Sequence, residues 1–112
     1  MGTKEKYQNI LIKFLDQFRD RRPVNLPNID RYVFIDKNTN NFQLLDMGWQ
    51  DQQYIFTVVF HFRILNGKIW IQRNITEYEI VDFLMEEGIP KDDIVLGFRH
   101  PDIRPFTGFA AA

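Results

Sequence analysis

Two histidines, His61 and His100, are the whole supply of imidazole in this 112-residue chain. A histidine-based metal centre or general base would have to use one of them. Neither has a partner at a metal-ligand spacing, so no metal and no cofactor are expected. The carboxylates Asp46, Asp51, Glu77, Glu79 and Asp82 could pair for acid–base work, but most fall in turns or on helix surfaces. Glu77 and Glu79 sit where a helix begins, a place that favours negative charge without any catalytic reason. Cysteine and serine are both absent. That excludes disulfides, thiolate metal sites, cysteine nucleophiles and serine triads. No glycine-rich phosphate loop occurs. No catalytic residue is assigned, and the chain reads as a non-enzyme. The enzymatic alternative is a composite nuclease site to which His61 or His100 contributes.

The densest group of reactive side chains stands near the end, in "GFRHPDIRPFTGFA". Arg99, His100, Asp102 and Arg104 lie there among Pro101 and Pro105. A catalytic loop, a phosphate clasp and a packed tail would each use such residues. The packed tail fits best. The prolines restrict the backbone and reduce the entropy lost on docking. Phe98, Ile103, Phe106 and Phe109 supply apolar anchors, and Arg99 and Arg104 can reach carboxylates of the acidic helix or of a partner.

Charge narrows the partners. The net charge is −1, so no overall positive field draws the chain to nucleic acid. Arg19, Arg21 and Arg22 form the one local basic cluster, whereas residues 77–93 hold seven acids and one lysine. That stretch repels phosphate and attracts a basic partner, or is simply a solvated helix face. Direct DNA binding through the three arginines, with Arg99 and Arg104, is a secondary reading. No apolar run has the length of a membrane span and the first residues carry no signal-peptide stretch, so a cytoplasmic protein with no membrane contact is expected.

The elements that must position these residues follow from periodicity. Tyr7, Ile10, Leu11, Phe14, Leu15 and Phe18 recur at helical spacing, predicting a helix over residues 3–18. "RDRRPVNLPN" reads as a loop. "RYVFIDK", "FQLLDMGW", "YIFTVVFHFRIL" and "KIWIQRN" read as four strands separated by "NTNN", "QDQQ" and Asn66-Gly67. The last of these is a strong signal for a two-residue hairpin turn. Thr76 and Glu79 fit a capping box, opening a helix that runs to Glu87 with Gly88 as its stop. "IPKDD" is a connector with one helical turn, and "IVLGF" a short fifth strand. The expected fold is a single α+β domain over residues 1–112. It runs N-terminal helix, antiparallel four-strand meander, second helix, short extra strand and ordered C-terminal tail.

The hairpin turn sets a register in which Arg63 faces Trp70, Phe62 faces Ile71 and His61 faces Gln72. Alternation then gives an apolar face of Phe56, Val58, Phe60, Phe62, Ile64, Ile69 and Ile71. The opposite face carries Ile55, Thr57, Val59, His61, Arg63, Leu65, Trp70 and Gln72. It reads either as an interaction surface or as an ordinary solvated face. A cross-strand cation–π contact between Arg63 and Trp70 is expected there.

Three segments reach beyond composition. They are "LLDMGW" with Asp46, Gly48 and Trp49; "NGKIWIQRNITE" with Gly67 to Gln72, Thr76 and Glu77; and "GIPKDDIVLGFRHPDIRPFTGFA". Together they resemble the XisI family, the fdxN-element excision controlling factors of cyanobacteria, over nearly the whole chain. The resemblance implies a role in programmed, site-specific excision of a DNA element during heterocyst differentiation. A recombinase performs that reaction, and XisI-like proteins act as controlling factors beside an XisH-like partner of nuclease-like fold. The family brings no catalytic residues to carry over. The expected partners are therefore an XisH-like protein, a site-specific recombinase and further copies of the chain. The candidate interface is His61, Arg63, Trp70 and Gln72 on the sheet with Arg99, His100, Arg104, Phe106 and Phe109 on the tail.

Overall fold

A computed structural model describes residues 2–21 and 27–112. Arg22 of the basic cluster and the adjoining part of the predicted loop lie outside the described residues. The chain folds as two layers. A five-stranded sheet in the order β1-β2-β3-β4-β5 forms one layer, and two helices on one of its faces form the other. The strands are β1 Asp30–Asp36, β2 Asn41–Gln50, β3 Gln53–Leu65, β4 Lys68–Asn74 and β5 Ile94–Leu96. β1 to β4 form the antiparallel meander read from the turn signals. β5 pairs with β4 in parallel, so the sheet is mixed. No described helix is long and apolar enough to cross a membrane.

Helix α1 (Thr3–Arg19) buries all six residues of its predicted stripe. Phe14 is the hub of the core. Its ring centroid lies 5.0 Å from Phe18, 5.1 Å from Phe60, 5.6 Å from Phe62 and 5.2 Å from Phe83. These partners come from both helices and from β3, so one ring joins the two layers. The hairpin turn forms as expected, with Asn66 at φ 54° and Gly67 at φ 75°.

Three expectations are corrected. First, the sheet carries two β-bulges. One falls in β3, where Leu44 pairs with Phe60 but Leu45 pairs with Val58. The other falls in β4, where Phe62 pairs with Ile71 but His61 pairs with Arg73 rather than with Gln72. Each extra residue turns the alternation over. Val59 thus joins the core, while Phe56 and Val58 share the outer face with their partners Met47 and Leu45. Ile55 and Thr57 move with Val59 to the helix side.

Second, α2 runs Ile80–Glu86 and starts later than the capping-box reading placed it. Thr76 donates its hydroxyl to Asn74 Oδ1 (2.6 Å) and accepts from the Tyr78 amide (3.1 Å). A local turn has taken the cap residue. Asn74 Oδ1 also accepts the Thr76 amide, so this side chain is committed to the turn.

Third, the arginines of the tail reach no helix carboxylate. Arg104 donates to the carbonyls of Arg99 and Gly97 and lies 5.0 Å over the Trp70 ring, the place expected for Arg63. Arg99 sits over Phe98 instead.

The ends of the chain are joined through the helix layer. Tyr7 of α1 donates its hydroxyl to Asp93 Oδ2 at 2.5 Å, on the single 3-10 turn Lys91–Asp93 that precedes β5. Burial, then this hydrogen bond, then the Asp93 charge raise the phenol from 10.0 to about 12. A raised folded-state pKa gives stability that is fully present below the unfolded value. It is lost as the pH rises through the folded value. Tyr7→Phe is therefore expected to cost about 1 kcal/mol at neutral pH. Its melting temperature should then fall less than that of the parent between pH 10 and pH 12. Thermal melts across that window check both; parallel pH curves would contradict the assignment.

Candidate functional site

The outer sheet face, opposite the helices, is where the candidate residues of the sheet meet. Paired residues project to the same side, so the ladder fixes its layout. From β1 come Tyr32 and Phe34, from β2 Gln43, Leu45, Met47 and Trp49, and from β3 Tyr54, Phe56, Val58, His61 and Arg63. β4 adds Lys68, Trp70 and, at its bulge, Gln72 and Arg73.

This face has two zones. The zone toward β1 and the β2–β3 turn is aromatic. Trp49 is 60% exposed and Phe56 61%, while Tyr32, Phe34 and Tyr54 are each close to half exposed. Trp49 and Tyr54 touch at 5.2 Å, and Tyr32 and Phe34 at 6.1 Å. The zone toward β4 and the Asn66-Gly67 turn is cationic, with Arg63, Lys68 and Arg73. Arg73 is fixed by its Nε donating to the Val58 carbonyl at 2.7 Å.

His61 stands between the zones. Its Nε2 is 2.9 Å from Asn41 Oδ1. Burial, and then the Arg63 charge, hold this imidazole below its usual 6.5. It is neutral at pH 7, paired to a neutral amide and flanked by arginine. His100 lies far along the chain on the exposed tail, where its Nδ1 accepts the Asp102 amide at 3.1 Å. The two histidines thus hold different partners, Asn41 and Asp102. Among the described residues no group of three His, Cys, Asp or Glu is gathered for a metal ion.

The tail, residues 97–112, packs on its own domain. Ala110 donates to the Ile94 carbonyl at 2.9 Å and bridges Val95 in parallel, which covers the β5 edge. Of the predicted anchors, Phe109 packs against the core and beneath Lys91. Phe106 is 85% exposed and anchors nothing within the chain. Trp70 is roofed by Arg104, so its ring is less available than its sequence position implied.

A second surface lies where the tail meets α2. A groove of about 370 Å³ runs between them, walled by Ile71, Leu96, Phe98 and Phe109, with Glu79 and Asp82 at its rim. Both acids belong to the acidic stretch, and the opposite wall comes from the tail.

The sequence reading missed the five aromatic residues of the outer face. The alternation in "RYVFIDK" carried a signal for Tyr32 and Phe34, and that in "LDMGW" for Trp49. Phe56 had none, because the bulge that turns it outward has no marker residue.

Two helices on one face of a five-stranded mixed sheet, with the other face left open, define a two-layer α+β domain. The XisI protein family matches residues 1–111, and the chain belongs to that family. Two solved structures are similar throughout. A XisI-like protein from Anabaena variabilis ATCC 29413 has 33% identity and a TM-score of 0.91, covering 97% of this chain and 99% of that one. The fdxN element excision controlling factor XisI from Anabaena variabilis ATCC 29413 has 31% identity and a TM-score of 0.86, with 99% and 100% covered. No curated protein matches the chain.

Proposed function

We propose that the chain is a controlling factor for programmed excision of a DNA element, acting without catalysis by binding an XisH-like protein. Membership of the XisI family, and likeness to a structure named as an fdxN element excision controlling factor, support the excision role. The observation that carries the binding role is the groove between α2 and the tail. Its apolar walls and the acids Glu79 and Asp82 at its rim fit an apolar segment bearing lysine or arginine. The groove's walls come from strand, helix and tail, so it exists only when all three are in place. Occupancy and an ordered tail are thereby linked.

Co-expression with the XisH-like protein, followed by gel filtration, tests this reading. The two chains are expected to elute together at micromolar concentration. Phe98→Arg alters a half-exposed wall residue and should leave the melting temperature unchanged. It should weaken the complex about tenfold or more by putting a charge into an apolar seat. Separate elution of the parent chains would overturn the proposal.

A further inference from the structure

The outer sheet face lies on the other layer from the groove, and the proposed function leaves it unused. Five aromatic side chains there are each 45–61% exposed. At roughly 150–250 Å² for a buried ring, they offer about 500 Å² between them. That is toward the upper end of the largest apolar patch a lone domain ordinarily leaves open, about 300–600 Å². It is also most of the roughly 800 Å² that each partner gives to a stable interface. Met47, Val58 and Leu65 on the same face add to it.

The layout also says what fits. Aromatic and cationic zones lie side by side on one surface, so the face holds both halves of a set of cation–π contacts. The ladder places Phe56 and Arg63 at matching positions on either side of the β3 bulge, in an outward-facing row that runs from Tyr54 to Leu65. Tyr32 and Phe34 straddle the midpoint on β1. A two-fold axis crossing the strands near Val33, Leu44 and the β3 bulge exchanges these positions. It lays Phe56 of one copy over Arg63 of the other and Tyr32 over Phe34. Each contact then occurs twice, as an isologous interface requires. Two sheets stacked in this way sit about 10 Å apart, the spacing of a β-sandwich.

We infer that the outer sheet face is the seat of a second copy of this chain, with the two sheets stacked about that two-fold axis. The dimer sets Phe56 of one copy against Arg63 of the other and Tyr32 against Phe34. It leaves the groove free, with Arg104 of the tail over Trp70 at the β4 margin of the face.

Light scattering on gel-filtered protein tests the inference. The parent should show twice the 13.5 kDa chain mass at about 50 µM. Two substitutions at exposed Phe56 then probe the geometry. Phe56→Arg sets like charges opposite each other and should raise the dissociation constant about 100-fold. Phe56→Glu loses the ring but gains an ion pair with Arg63, so it should lie about tenfold closer to the parent. Circular dichroism melts confirm that both variants fold. A parent that stays monomeric at 500 µM overturns the inference. So does a dimer indifferent to Phe56, or one weakened equally by the two charges. Phe98→Arg in the groove should leave the dimer intact, so failure of the partner reading and failure of this one are separable.

Discussion

Replacing Phe14 with alanine is expected to lower the unfolding free energy by about 3–5 kcal/mol. The ring is fully buried and lies within 5.0–5.6 Å of Phe18, Phe60, Phe62, Phe83 and Tyr78. Removing it deletes apolar burial and opens a cavity between helices and sheet. The surrounding rings are large and rigid, and each is already held by other neighbours, so collapse into the space is limited. A domain of this size is typically stable by about 5–15 kcal/mol, so the variant should be close to unfolding at body temperature. Urea denaturation followed by circular dichroism measures the change. A loss under about 1 kcal/mol would show that Phe14 is not the hub.

Asp46→Ala is expected to cost a similar amount, about 3–5 kcal/mol, by a different route. Arg31 and Asp46 form a two-pronged ion pair between β1 and β2, with Nε to Oδ1 at 2.7 Å and the second amino group to Oδ2 at 2.9 Å. Their side chains are only 10% and 9% exposed. Arg31 also donates to the Arg21 carbonyl at 2.6 Å, which ties the end of α1 to the sheet. Alanine at 46 leaves the guanidinium buried and without its counter-charge. The double replacement Arg31→Met with Asp46→Leu removes both charges and should recover much of the loss, as read in the same urea titration. If the single variant is as stable as the parent, the pair is merely tolerated.

These two sites show what could be read in the sequence. The helical stripe ending at Phe18 and the turn signals around Asn66-Gly67 fixed α1 and the four-strand meander almost to the residue, because period and turn chemistry are local. The bulges at Val59 and Gln72 were not legible. Neither carries a glycine or proline to announce it, and the reward for each lies in tertiary packing. One inserted residue moved Phe56 from the expected core to the surface and hid half of the exposed face. The capping box failed because Asn74, two residues earlier, competes for Thr76 at short range. The parallel pairing of β5 was illegible too, since a three-residue strand carries no directional signal. The segment "LLDMGW" has a structural account. Asp46 holds Arg31, and Gly48, at φ 144°, leaves room where a Cβ would come within 2.9 Å of the Asn28 carbonyl. The tail was legible as an ordered segment but not in detail, for Phe109 anchors it and Phe106 does not.

The link between Tyr7 and Asp93 spans 86 positions of the chain. It sits between the first helix and the turn that launches β5, while the last residues clasp that same strand through Val95 and Ala110. Chain ends usually fray first, opening at little cost while the middle stays closed. Here the two ends hold one another, so releasing either loosens the strand on which the other depends. Tyr7, Asp93, Val95 and Ala110 are thus expected to open together in one cooperative step.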